Sequence, residues 1–155
     1  KIVGWCLAES LAAAFTLKAL RMAIGQAGGG DLSGLIHHSD RGIQYCCDLY
    51  VEELQKHGIQ ISMTEDYKPT DNALAERVNG IIKSESAYRQ DRRFETFEEA
   101  LEQIGLFIIF YNSKRLHYSI GLQTPNDAHG QTGEQKKMWK TKIYQKNGQS
   151  LRTNP

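Results

Sequence analysis

The sequence predicts an α/β layer architecture, and three observations predict it. Short runs rich in β-branched and aromatic residues alternate with longer segments whose apolar residues recur at helical spacing. Clusters of Gly, Pro, Asn and Asp interrupt the chain between them. The size and balance, 155 residues of which 40% are hydrophobic and 24% charged, suit one ordinary globular domain with a single core.

The elements follow in order. KIVGWCL, residues 1–7, has the content of a strand, and ESLAAAFTLKALRMAI, residues 9–24, reads as an Ala- and Leu-rich helix that GQAGGGDLSG ends. A second strand is expected over about 34–39. The helix after it, near 45–57, closes on Gly58, which can take the left-handed cap conformation. IQISM, residues 59–63, is a short strand, and EDYKPTDN, residues 65–72, an exposed and mobile loop. Thr70, Asp71 or Asn72 can then cap the helix ALAERVNGIIKSESAY. A second long helix starts at Thr96, with Glu99 three residues on as a capping box, and runs through FEEALEQIGLFIIFYN. KRLHYSIGLQTPNDA turns the chain after it, and there is no internal repeat. About three strands are few for a free-standing sheet, so the chain is expected to start partway through a domain.

Composition narrows the function classes. The longest apolar segment, IGLFIIFY, is eight residues, far short of the roughly 20 needed to cross a bilayer. The start, Lys1-Ile2-Val3, has neither the basic leader nor the cleavage site of a secretory signal, which predicts a cytoplasmic protein. Cys6, Cys46 and Cys47 form no C-x-x-C pattern and read as reduced cysteines filling core positions. The net charge of +1 is unevenly divided. From His129 onward Lys136, Lys137, Lys140, Lys142, Lys146 and Arg152 oppose only Glu134, a local net of +5, so the remainder carries −4. Such a tail is either a phosphate-seeking arm or a solvated, frayed end.

The stretch LIHHSDRGIQY carries the first chemical signal, because Asp40 puts a charge where a strand ends. Glu76 opens the helix after the Pro-containing loop, and the 35 residues between them, 41–75, hold one helix, one strand and one loop. Such a path can return the chain to its starting edge and bring the carboxylates together. Held about 4 Å apart, they repel by roughly 4 kcal/mol at an effective dielectric of 20, which a divalent cation relieves. Oxygen-only ligation suits Mg²⁺ or Mn²⁺, and paired metals are the known arrangement for phosphodiester attack. The plainer alternative is that Asp40 caps a turn and Glu76 complements the helix dipole.

Lys83 lies seven residues after Glu76, almost two helical turns on and hence on the same face, with Asn79 and Gly80 between them. That strip of carboxylate, small polar surface and cation could carry a nucleic-acid backbone. His37 and His38 alternate across a strand and so cannot readily share one ion. His38 shares the face of Asp40, whereas His37 is expected to be packed.

Together, HSDRGIQY, DNALAERVNGIIKSE and YNSKRLHYSIGLQTPNDA resemble the catalytic core of bacterial insertion-sequence transposases in the retroviral-integrase superfamily. The likeness is to the type made from two overlapping reading frames, and it covers about residues 1–128. It implies an RNase H-like fold, incomplete here because the first strands are missing, followed by a C-terminal helix and a basic, flexible tail over 129–155. It also implies a three-carboxylate Asp-Asp-Glu site that uses Mg²⁺ or Mn²⁺, two metals in the complete enzyme. On that pattern Asp40 is the second carboxylate and Glu76 the third. Lys83 contacts the element's terminal DNA, Asn72 belongs to the same motif, and Asn79 lies on the same strip. Tyr111, Asn112, Arg115 and His117 belong to the downstream signature, with structural or DNA-contacting roles.

The family's first Asp lies on a strand that precedes the one resembling KIVGWCL, and neither Asp31 nor Glu9 is a credible substitute. With two of three carboxylates the fragment is expected to bind metal weakly and not to cleave or join DNA by itself. Strands lacking partners predict a homo-oligomer. The reaction implied for the parent enzyme is direct phosphoryl transfer: water attacks a phosphodiester at the element end, and the freed 3′-hydroxyl then attacks target DNA. The rival readings are an RNase H-like nuclease without the joining step, and a catalytically dead DNA-binding or assembly module.

Overall fold

A computed structural model of the chain describes residues 1–64, 73–85 and 94–138, and the backbone alone of 86–87, 143–146 and 149–152. The chain divides into two compact units, Ile2–Gly105 and Leu106–Pro155, the latter joined by Lys1.

In the first unit, helix α1 spans Ala13–Gln26. It starts four residues later than its pattern suggests, because the Ser10 hydroxyl accepts from the Ala12 N–H and offers the backbone a local turn instead. It ends where predicted, at glycines of positive φ, Gly28 and Gly29. Strand β1 (Ile36–Ser39) pairs in parallel with β2 (Gln60–Met63), in a register that sets His38 opposite Ser62 and Ser39 opposite Met63. Residues 1–7 form no strand, contrary to the expectation from their composition. A strand exists only through its ladder, and these residues find no neighbouring strand among the described ones. They cross α1 instead. Gly4 passes so close that a Cβ there would intrude on the Ala19 carbonyl oxygen and the Ala23 side chain.

The helix expected over 45–57 is two, α2 (Ile43–Cys46) and α3 (Asp48–Lys56), split at Cys47, whose backbone is extended. On one continuous helix, positions 45 and 50 would point about 140° apart. The break lets Tyr45 and Tyr50 meet edge to face at 5.5 Å and both lie against His37. Gly58 takes the left-handed conformation expected of it, φ +68°. The core is small: Leu17, Leu20 and Ile24 of α1 pack with Tyr50 and Leu54 of α3 and with Ile59, joined at the edge by Leu32, Tyr45 and Cys47. Cys47 thus packs on the core as the sequence suggested, but Cys46 is exposed, its thiol 3.9 Å from the Met63 sulfur.

Helix α4 (Ala73–Ile81) continues into a π-helical segment, Ile82–Ala87. Two β-branched residues and the Ser84 hydroxyl, which donates to the Ile81 carbonyl, disturb the regular ladder there. Helix α5 (Phe97–Ser113) opens on its predicted cap, with the Glu99 N–H donating to the Thr96 hydroxyl at 3.1 Å. The Glu99 carboxylate reaches back one residue further than a capping box requires and accepts from the Glu95 N–H.

In the second unit, the end of α5 buries Ile108 and Tyr111. A turn then bridges His117 to Gln123 and leads to the short helix α6 (Pro125–His129), capped by Thr124 with Pro125 at its first position. Strands β3 (Ile143–Lys146) and β4 (Gln149–Arg152) form an antiparallel pair.

Candidate metal and nucleic-acid site

Asp40 directly follows β1 and is exposed. Its Oδ1 accepts from the Gly42 N–H at 2.9 Å, closing a local turn that leads into α2. The turn-capping role foreseen as the plainer alternative is therefore real. It occupies one carboxylate oxygen, and Oδ2 has no partner among the described residues. Gly42 allows this geometry, since a Cβ there would stand 2.9 Å from Asp40 Oδ1 and against the Gln44 amide. The negative charge is felt locally: burial first, and Asp40 second, push the Tyr45 hydroxyl above its ordinary pKa.

The two histidines separate as alternation demands. His38 is exposed, and its Nδ1 lies 2.9 Å from the Ser62 hydroxyl of its register partner. His37 is half-buried, with Nε2 3.0 Å from the Tyr50 hydroxyl, and burial holds its pKa below the usual value. Beside Asp40, Arg41 donates from Nε to the Thr64 carbonyl at 2.8 Å, and the Thr64 N–H donates to the Ser39 carbonyl at 3.1 Å. Sequence reasoning missed Arg41 and Thr64. The available signal was an arginine immediately after a carboxylate at a strand end, two residues short of the next helix.

Glu76 stands in the first turn of α4, and Glu76, Asn79, Gly80 and Lys83 are all exposed. Lys83 falls in the π-helical segment, whose wider turns rotate each residue less than an α-helix does. Asn72, the remaining residue of that motif, lies outside the described residues, as does the 65–72 loop. In the second unit, His117 meets the Tyr111 ring edge to face at 4.9 Å, and the Arg115 guanidinium lies 5.8 Å from the same ring centre. A buried tyrosine thus lies against two other residues of the downstream signature.

Among the described residues no group of three or more His, Cys, Asp or Glu side chains could hold a metal ion by itself. The available donors still suit Mg²⁺ or Mn²⁺ by type. Asp40 and Glu76 offer only carboxylate oxygens, both exposed, and Mg²⁺ is ordinarily held by one or two carboxylates, with water and substrate phosphate completing its shell. No described helix is long and apolar enough to cross a membrane.

Two family profiles, each described as integrase core domain, match residues 1–69 and 57–125, together most of the chain. Among curated proteins, the transposase for insertion sequence element IS904 of Lactococcus lactis is 36% identical over 130 residues, covering 82% of this chain and 49% of that protein. A putative transposase for element IS986/IS6110 of Mycobacterium tuberculosis is 34% identical over 124 residues, covering 78% and 44%. The chain thus spans about half the length of the curated relatives it matches. Among solved structures, a chain in the simian T-cell lymphotropic virus intasome bound to PP2A regulatory subunit B56 gamma superposes with a TM-score of 0.66 at 18% identity, covering 94% of this chain and 53% of that one. The catalytic core domain of BIV integrase superposes at 0.51 and 21% identity, covering 77% and 72%. The fold is that of a retroviral-integrase catalytic core, incomplete in its sheet.

Proposed function

Because the chain belongs to the integrase core domain family, we propose that it is a part of a bacterial transposase that cuts and joins DNA ends, with Asp40 and Glu76 as two of its three catalytic carboxylates. The observation that carries this reading is Asp40 itself, a carboxylate at the C-terminal end of a parallel strand with one oxygen uncommitted. Open α/β sheets bind their ligands at that end.

Asp40 and Glu76 would hold Mg²⁺ or Mn²⁺, which relieves their mutual repulsion and neutralises charge developing on the phosphate. The chain's own residues position the DNA. Lys83 meets a backbone phosphate, Asn79 and Asn72 line its path, and Arg115 and His117 add contacts from the signature after α5. Phosphoryl transfer asks mainly for such positioning and charge neutralisation. The family core runs to residue 128, and the basic arm over 129–155 follows phosphate. The protein works in the cytoplasm on chromosomal DNA and as a homo-oligomer.

Two experiments test this. Filter binding of duplex DNA should weaken steeply with salt. Lys83→Gln should weaken it uniformly across sequences and lower the log–log salt slope by about one unit, as expected for one lost phosphate contact. In a joining assay with Mn²⁺, this chain alone should give no product, and a longer protein that supplies the missing carboxylate should give product that Asp40→Asn abolishes. DNA binding with no product from that longer protein would favour an assembly module, and nicking without joining would favour a nuclease.

A further inference from the structure

We propose that Arg41 is a positioning residue that fixes the direction of the Asp40 carboxylate by gripping Thr64; this rests on the reading of Asp40 as a metal ligand. The parallel ladder ends at Ser39 and Met63, and one residue later Thr64 is buried, 7% exposed. Its N–H makes the last bond across the strands, to the Ser39 carbonyl. Among the described residues its own carbonyl has no further strand residue to accept from, and an unpaired carbonyl in a buried residue is costly. The Arg41 Nε–H fills that place at 2.8 Å.

Thr64 therefore holds the residue before Asp40 by one backbone group and the residue after it by the other. With both neighbours tied to one point, the Asp40 Cα has little freedom to twist. The Gly42 N–H then selects the rotamer by engaging Oδ1, which leaves Oδ2 for a cation. Arg41 is exposed, so its side chain fills no core space that would require it. Its guanidinium has further N–H groups with no partner among the described residues, so the grip on Thr64 uses only part of its donor set.

The test uses the chain as it stands, ¹⁵N-labelled, with Mn²⁺ as the probe. Bound Mn²⁺ broadens nearby amide signals even when affinity is weak. We expect the amides of residues 40–42 to broaden in the wild-type chain, and Asp40→Asn to remove the effect. Arg41→Gln should raise the Mn²⁺ concentration for half-broadening at least threefold, and hydrogen exchange at the Thr64 amide should quicken. Arg41→Lys, which can still donate to the Thr64 carbonyl, should recover most of both. Gly42→Ala, which crowds Asp40 Oδ1 from the other side, should shift the Mn²⁺ response while leaving Thr64 exchange unchanged. Faster Thr64 exchange in Arg41→Gln with an unmoved Mn²⁺ response would overturn the inference, because Arg41 would then only tie two strand ends. An Asp40→Asn variant that broadens like wild type would overturn the metal reading, and the inference with it.

Discussion

Tyr50 and His37 form a proton-sensitive pair inside the fold. The two are hydrogen-bonded at 3.0 Å, and Tyr50 is only 3% exposed. Burial, then the neighbouring Tyr45 and Cys47, push the Tyr50 hydroxyl up to about 12, whereas burial depresses His37. The signs differ. Below about 6.5, the usual histidine value, the unfolded chain binds a proton that folded His37 resists, so stability falls as pH drops through the window down to the lowered value. From about 10 upward the unfolded chain loses a proton that folded Tyr50 keeps, so stability falls as pH rises toward 12. Urea midpoints should therefore decline at both ends of the pH scale. Tyr50→Phe should flatten the alkaline limb and cost about 1 kcal/mol at neutral pH through the lost hydrogen bond.

Two glycines give a sharper contrast. A Cβ at Gly105 meets the Trp5 ring at 3.4 Å, ordinary contact, so Gly105→Ala should be neutral or stabilise α5 by up to about 1 kcal/mol. At Gly4 the obstacle is backbone, and Gly4→Ala should cost about 1–3 kcal/mol, the usual range for overpacking. Thermal melts of the two variants side by side check both expectations.

At the scale of elements, the cap of α5 was legible and the breaks were not. Thr96 caps α5 because a short hydroxyl followed by Glu three residues later is a local signal with a local cause. Thr96→Ala should lower stability by about 1 kcal/mol, read as an earlier urea midpoint, and Thr96→Ser should restore it. Gly58 and the glycines after α1 were legible for the same reason, since φ > 0 is a property of one residue. The split at Cys47 was not, because it serves contacts among His37, Tyr45 and Tyr50 that are distant in pattern though close in space. Nor was the π-helical continuation of α4, where local serine chemistry overrides a run that reads as uniform helix. The candidate site divides likewise. Asp40 and Glu76 could be picked from charge at element ends, while the grip of Arg41 on Thr64 depends on where two strands stop relative to each other.

Among the described residues the sheet of the first unit has two strands. Two parallel strands make a marginal sheet, and Ile36 and Ile61 stand 61% and 37% exposed on it. Unpaired strand rims and apolar residues in water favour association, so light scattering at high protein concentration should report a dimer or larger species, and a clean monomer would contradict the proposed homo-oligomer. The strand expected over residues 1–7 shows why global arrangement was the least legible level: its composition is suited to a ladder, but composition does not supply the neighbour. What those residues do instead constrains the molecule in another way. Gly4 and Ala23 have no side chain left to shorten without loss, and the third participant at the crossing, the Ala19 carbonyl, cannot be shortened at all. An enlargement at position 4 therefore meets backbone that no second substitution can trim, so this crossing leaves position 4 almost no alternative to glycine.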